Sequence, residues 1–403
     1  MNIYRQQLSR LLVSASLVTA TLLVPFSISA NDVVTFDNGQ SSVQSTDRLA
    51  QRIVIPRIQL AILLDTSNSM DGLIDQARNQ LWAAVNEFSS STHNGIRPIL
   101  EVALFEYGNS NLIGQNGYVR QVLGFTQELD QVSEALFALT TDGGSEYCGY
   151  VINEAVTELY WSDSNHDIKS IFIAGNEPFN QGPVAYQSAI RSAIEKGVTV
   201  NTIFAGQHGD SASSGWQRGA LLAQGDYMSI NHNHQIVHID APQDDQLVRL
   251  NQQLNDTYIP YGIEGAQAIV RQEEQDKQSN EVSTGLLSQR IQSKASPMYR
   301  NENWDLVDAL ETGTTSLDRV EEESLPVEMK KMDKTERNNY VAHKAKERKA
   351  LQEEIVKLTR ERNQYVAEKR RQAAPSGVTT LNDAIISAVR DEAKKKRFVF
   401  EDN

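Results

Sequence analysis

The sequence predicts an α/β fold: a doubly wound, mostly parallel sheet followed by a helical C-terminal extension. Three observations predict it. Short, near-continuous apolar runs such as Ile58-Gln59-Leu60-Ala61-Ile62-Leu63-Leu64 recur along the first two thirds of the chain, as in strands buried on both faces. Between them, apolar residues return every three or four positions, as one buried face of a helix requires. Near Glu264 the composition changes to Gln, Glu, Ser and Asn, and later to a long charged stretch without Gly or Pro.

The elements follow in order. The strand over 58–64 leads into a loop, 65–71, and then a helix whose Leu73, Ile74, Ala77, Leu81, Val85 and Phe88 share a face. Strands are predicted over 99–105 and 118–125, a helix over 129–139, a Gly-rich loop over 140–146 and a helix over 148–161. A strand over 170–174 precedes a helix over 185–196, closed by Gly197. A strand over 198–204, a helix over 216–224, a short strand over 227–230 and a helix over 244–258 complete this part. Strands alternating with helices of this length imply a mostly parallel sheet spanning residues 53–262.

Residues 263–327 read as a polar linker with short helices, one of them amphipathic over 304–310. Residues 328–374 read as one long charged helix. Leu351, Ile355, Leu358 and Tyr365 fall at coiled-coil spacing, but Lys344, Arg348 and Arg362 occupy the other seam positions. Two readings stand: a coiled coil offering self-association, or a helix packed on its own domain. Pro375-Ser376-Gly377 ends it, and 375–403 holds a final helix over 381–393 with a basic Lys394-Lys395-Lys396-Arg397 end.

The first 30 residues have the form of a signal peptide: Arg5 and Arg10, an apolar run to Phe26 broken at Pro25, and small residues at Ser27, Ser29 and Ala30. Cleavage is expected after Ala30, with the bond after Ser29 as the alternative. The run is short for a retained anchor, and no later stretch is long enough to span a bilayer. Residues 31–52 form a polar linker. The expected location is periplasmic or secreted. Cys148 is the only cysteine, so no intrachain disulfide forms even there. Asp plus Glu is 52 against 38 Lys plus Arg, a net charge of −14, which argues against nucleic acid as a partner and suits cations or basic protein surfaces.

In a doubly wound sheet, ligands bind beyond the carboxyl ends of the strands. Asp65-Thr66-Ser67-Asn68-Ser69 stands there, directly after the first strand. One carboxylate and two hydroxyls in a tight loop supply the oxygens a hard divalent cation takes. Leu63-Leu64-Asp65-Thr66-Ser67-Asn68-Ser69-Met70 resembles the first signature of the von Willebrand factor A (VWA) family. The resemblance implies a Rossmann-like VWA fold with a metal-ion-dependent adhesion site, in which Asp65, Ser67 and Ser69 surround Mg²⁺, or Mn²⁺ or Ca²⁺. It also implies a protein partner whose acidic side chain completes the metal shell. The family's second element falls in Thr141-Asp142-Gly143-Gly144-Ser145-Glu146, where Thr141, Ser145 and Glu146 are candidates that spacing does not separate. The third departs from the family: Gly175 stands where an Asp is usual, in Ala174-Gly175-Asn176-Glu177-Pro178. Either oxygens from Asn176 and Glu177 rebuild the site, or the site is vestigial. These segments together resemble a bacterial subgroup of exported VWA proteins.

Other signals are weaker. His232, His234 and His238 cluster without a cysteine or acidic residue at matching spacing, so a polar loop outweighs a zinc site. Gly209-Asp210-Ser211 lacks the strand–turn–helix context of an esterase nucleophile. Cys148 starts a helix, yet a buried apolar thiol is the commoner case. No P-loop or dinucleotide fingerprint occurs. The leading expectation is therefore a non-enzymatic binding protein acting in the cell envelope through cation-assisted protein contact. The alternatives are a metal-dependent hydrolase using Glu146 or Glu177, and an envelope scaffold with a vestigial metal site.

Overall fold

The apolar run after Pro56 becomes the centre of the sheet. The structure, a computed structural model, describes residues 55–207, 209–231, 238–372 and 381–400. The predicted signal peptide and linker, His232, His234 and the Pro375-Ser376-Gly377 break lie outside the described residues. In chain order the α/β part comprises β1 (Arg57–Asp65), α1 (Asp71–Ser89), β2 (Ser91–His93), β3 (Ile99–Tyr107), β4 (Val119–Thr126), α2 (Leu129–Ala138), α3 (Cys148–Glu158), β5 (Ile168–Gly175), α4 (Tyr186–Glu195), β6 (Thr199–Phe204), α5 (Ser213–Leu222) and β7 (Tyr227–Ser229). Then come α6 (Asp244–Asn255), α7 (Gly265–Val282), α8 (Thr284–Lys294), α9 (Leu306–Glu311), α10 (Val327–Lys330), α11 (Lys334–Gln372), α12 (Leu381–Lys395) and β8 (Phe398–Phe400).

Six strands form one sheet in the order β4-β3-β1-β5-β6-β7. Every pairing is parallel except β3 with β4. The fold is thus α/β, doubly wound and mostly parallel, as the alternating runs predict. Side chains alternate along β1. Leu60 and Leu64 face the core shared with α1, α2 and the later helices, while Ala61 and Leu63 face the core shared with α3 and α4. The chain leaves β1 toward β3 on one side and reaches β5 on the other, so the crevice at the carboxyl end of β1 is the switch point of the sheet. Asp65 closes β1 there.

The polar composition of 263–327 points to solvent, yet α7 and α8 bury much of it. Gln272, Gln275, Ser279, Ser288, Ser293, Arg290 and Lys294 are all buried. The reason is pairing. Arg290 bonds Asp276 through Nε at 2.6 Å and pairs with Asp130 of α2, while Lys294 bonds Asp276 at 2.9 Å. Buried charges persist when each has a counter-charge and filled hydrogen bonds.

The long helix α11 lies along its own domain, with contacts to α6, α8 and α9. Ile355 and Leu358 of the apolar spacing are buried there. The arginines that interrupt the seam are anchors. Arg348 binds Asp305 at 2.6 Å and Asp308 at 2.7 Å, and Arg362 binds Asp244 at 2.6 Å. Of the two readings for this segment, packing on the domain describes what the stripe does here. The final helix α12 packs on α1, and β8 after it pairs antiparallel with β2, a two-stranded element that no sequence periodicity announces.

Candidate cation site at the carboxyl edge of the sheet

The side chain of Asp65 is fully buried, and its placement follows from strand parity. Asp65 continues the Ala61–Leu63 face of β1, beside Tyr107 and Cys148. Its Oδ1 accepts the Ser67 amide at 2.8 Å, which folds the loop back on itself. Its Oδ2 is buried with no hydrogen-bond partner at ordinary distance among the described residues. Ser67 and Ser69 place their hydroxyls 3.5 Å apart, and Asn176 Nδ2 donates to Ser69 Oγ at 3.0 Å. The Asn176 Oδ1 is also buried without a partner among the described residues.

Two close approaches build the crevice. Gly108 follows β3 at φ +81°, where a Cβ would stand 2.8 Å from Asp65 Oδ1 and 2.9 Å from Glu146 Cγ. Only glycine lets Asp65 and Glu146 come together across it. Asn109, buried beside it, donates to Thr140 O at 2.9 Å and receives the Asn111 amide at 2.9 Å, so it ties the Gly-rich loop to this turn. A backbone bond from Asp142 N to Thr66 O, 3.0 Å, joins the two loops directly. Sequence reasoning missed Tyr107, Gly108 and Asn109. Their signal was a Gly-Asn pair at the carboxyl end of the second long strand.

The departure at Gly175 has a steric cause. A Cβ at Gly175 would lie 2.4 Å from the Tyr107 hydroxyl and 3.0 Å from Asp65 Oδ2. The Tyr107 ring is buried, and its hydroxyl donates to Ala174 O at 3.0 Å. The tyrosine therefore fills the volume that a side chain at position 175 would need. Asn176 and Glu177, the next residues, carry the oxygens on this side.

Burial pushes the Asp65 carboxyl up to about 6, against the Ser67 amide and hydroxyl and the Asn176 amide that hold it down, with the Glu177 charge adding to the rise. Burial, then the Asp65 charge, pushes Glu146 up to about 7. Glu177 raises both and is itself exposed, accepting from Gln181 at 3.3 Å. Three carboxyl groups thus repel one another around an unpaired buried oxygen.

The donors fit a hard divalent cation. Asp65 Oδ2 and Asn176 Oδ1 are unsatisfied, and the Ser67 and Ser69 hydroxyls and the Glu146 carboxyl lie alongside. Among the described residues no three His, Cys, Asp or Glu side chains form a metal-holding group. The set here is a mixture of carboxylate, hydroxyl and carboxamide. Thr141 is turned elsewhere: its hydroxyl donates to Asp71 at the start of α1. Ser145 is partly buried one residue before Glu146. Of the three candidates in that loop, Glu146 is the one whose carboxyl feels Asp65.

The remaining signals that fall on described residues resolve as structure. Cys148 is fully buried, and burial pushes its thiol far up, so it is no thiolate nucleophile. His238 shares a hydrogen bond of 3.2 Å with Asn79, and burial with the Arg362 charge lowers its pKa. Asp210 receives the Gln207 amide at 2.9 Å in a surface turn.

No protein-family model and no curated protein matches the chain. Solved structures do. A von Willebrand factor type A protein from Catenulispora acidiphila is 17% identical, covers 44% of this chain and 39% of its own, and has a TM-score of 0.34. The SpRpn10 VWA domain is 15% identical over 44% of this chain and 90% of its own, with a TM-score of 0.32. An aerotolerance-related membrane protein from Bacteroides fragilis is 16% identical over 44% of this chain and 93% of its own, with a TM-score of 0.31. The match spans about two fifths of the first of these proteins. At such scores the fold assignment rests on this chain's own strand order and on the loop that closes β1. Among the described residues no helix is long and apolar enough to cross a membrane.

Proposed function

We propose that this VWA-like chain is an exported binding protein that holds a divalent cation at Asp65, Ser67 and Ser69 and offers it to an acidic side chain of a protein partner. The observation that supports this most directly is Asp65 Oδ2, an oxygen of a fully buried carboxylate without a hydrogen-bond partner at ordinary distance among the described residues. Such an oxygen costs free energy unless something positive meets it. Asn176 Oδ1, Glu146 and Glu177 supply further oxygens on the same side, and the charges that most shift Asp65 and Glu146 are those of other carboxylates. A bound Mg²⁺ or Mn²⁺ supplies a Lewis-acidic contact for a carboxylate. This chain's residues orient it: the Ser67 amide fixes Asp65, Asn176 fixes Ser69, and Asn109 fixes the loop that carries Glu146.

Calorimetric titration of the full chain with Mg²⁺ and Mn²⁺, beside Asp65→Ala, tests the cation. Heats are expected in the wild type and not in the variant. Identical heats, or none in either, overturn the reading. Capture of an envelope protein that is lost with EDTA and in Asp65→Ala, and restored by Mg²⁺, tests the partner contact. A signal-sequence fusion to a periplasmic reporter tests export, and a cytoplasmic reporter signal counts against it.

A further inference from the structure

A cleft of about 700 Å³ lies where the C-terminal ends of α1 and α8 face the middle of α11. Arg97, from the loop after β2, and Arg360, from α11, line it together with the carboxamides of Gln292, Asn363 and Gln364. Among the described residues no Asp or Glu lines it. In a chain whose 52 Asp plus Glu outnumber its 38 Lys plus Arg, that is the reverse of the expected surroundings. Among the described residues neither arginine forms an ion pair, although Arg97 donates to Ser89 O at 3.0 Å. Thr359 in the wall is 3% exposed, and its hydroxyl has no hydrogen-bond partner among the described residues. A second cavity of about 370 Å³ shares Asn363 and Ala367 with the first. It adds Arg370 and again, among the described residues, carries no carboxylate.

The chemistry of these walls selects a ligand class. Unpaired guanidiniums take carboxylate or phosphate, often through two hydrogen bonds at once. Carboxamides both donate and accept, which suits hydroxyl groups that do the same. Among the described residues no aromatic ring lines the cleft to stack on a nucleobase. Its volume is in the range of small-molecule sites. The α1 helix separates it from the Asp65 loop by about 27 Å, taking the rise per residue of an α-helix over its length.

We propose that this cleft binds a small anionic sugar, a sugar acid or a sugar phosphate. Arg97 and Arg360 hold the charged group, and Gln292, Asn363 and Gln364 read the hydroxyls. The test is calorimetric titration of the full chain with glucuronate, glucose 6-phosphate, glucose and inorganic phosphate. Binding of at least one anionic sugar is expected, with glucose and phosphate each about tenfold weaker or silent. Glucuronate alone binding identifies a sugar acid, and glucose 6-phosphate alone a sugar phosphate. The double variant Arg97→Gln/Arg360→Gln, both exposed positions, is expected to melt like the wild type and to lose about tenfold or more in affinity. Gln364→Ala keeps the charges and is expected to bring the anionic sugar closer to inorganic phosphate in affinity. Silence of both anionic sugars at millimolar concentration overturns the proposal. So does binding of glucose or phosphate as tight as theirs, or full affinity in the double variant.

Discussion

Replacing Asp276 by Asn should cost this protein a large share of its stability. The carboxylate accepts from Arg290 Nε at 2.6 Å, Lys294 Nζ at 2.9 Å, Asn251 Nδ2 at 2.7 Å and Asn255 Nδ2 at 2.8 Å. All four partners are donors. An Asn at this position turns one acceptor into an NH₂ facing donors, and leaves Arg290 and Lys294, both with fully buried side chains, sharing the Asp130 charge. Breaking a buried pair on one side costs about 3–5 kcal/mol, against a total of about 5–15 kcal/mol for a folded domain. The pH dependence has a definite sign. Burial pushes the Lys294 ammonium down to about 8, with Asp276 pulling it back up. The unfolded lysine titrates near 10.4, so between about pH 8 and 10.4 the unfolded chain holds more protons, and stability rises with pH by roughly 3 kcal/mol. Without Asp276 the lysine is depressed further, so the rise begins at lower pH and is larger. Against the pull of burial, Lys294 and Arg290 hold the Asp276 carboxyl well below the usual range. The wild type should therefore lose stability as pH falls below about 4, a loss the variant lacks. Urea unfolding near pH 3, near pH 7 and near pH 9.5 reads these effects by tryptophan emission, since the Arg290 guanidinium sits 4.7 Å over the Trp82 ring. A loss under about 1 kcal/mol, the scale of an exposed pair, or a variant less stable at the higher pH, refutes the reasoning.

Three further outcomes are expected. Gly175→Ala should destabilise by about 1–3 kcal/mol through overlap with the Tyr107 hydroxyl. In a Tyr107→Phe background the penalty should shrink, and strict additivity in a thermal double-mutant cycle would show that the hydroxyl is not the obstacle. Arg348→Ala removes the cation that meets Asp305 and Asp308 and covers the Tyr258 ring at 4.0 Å. About 3–5 kcal/mol should be lost, with early tryptic cleavage inside 334–372; an unchanged digestion pattern counts against the anchor. Cys148 should resist maleimide in the native protein and react fully in urea, and native labelling at the unfolded rate would contradict its burial.

Much of the α/β part was legible because its signals are periodic. An apolar run such as 58–64 has few options other than a buried strand, and the D-x-S-x-S loop then stands at the one edge where parallel sheets bind ligands. Non-periodic contacts were not legible. The Tyr107 hydroxyl reaches Ala174 O across a sequence separation of 67, and no local pattern reports that. It nonetheless explains why Gly175 stands where an Asp was looked for. The polar helices α7 and α8 hid for a related reason. Ser, Gln, Arg and Lys spell solvent in a hydropathy reading, and only the positions of Asp130 and Asp276 show that they are paired and buried. Arg348 and Arg362 were visible as faults in a coiled-coil seam, and became intelligible once Asp305 and Asp244 stood opposite them.

The closing segment sets an order on folding. Leu381 and Ile385 of α12 complete the apolar wall made by Leu60, Leu81 and Val85, and β8 seals it by pairing with β2. Arg390 reaches Glu87 over a sequence separation of 303. Contacts this distant form late, after the loop-closure entropy of the intervening chain has been met. Until the last twenty or so residues arrive, the sheet presents bare aliphatic surface on its α1 side, the kind of surface that recruits chaperones and neighbouring chains. The α12–β8 segment therefore serves as the latch of the domain, and a chain that stops before Leu381 is expected to have its Asp65 loop built and its back open.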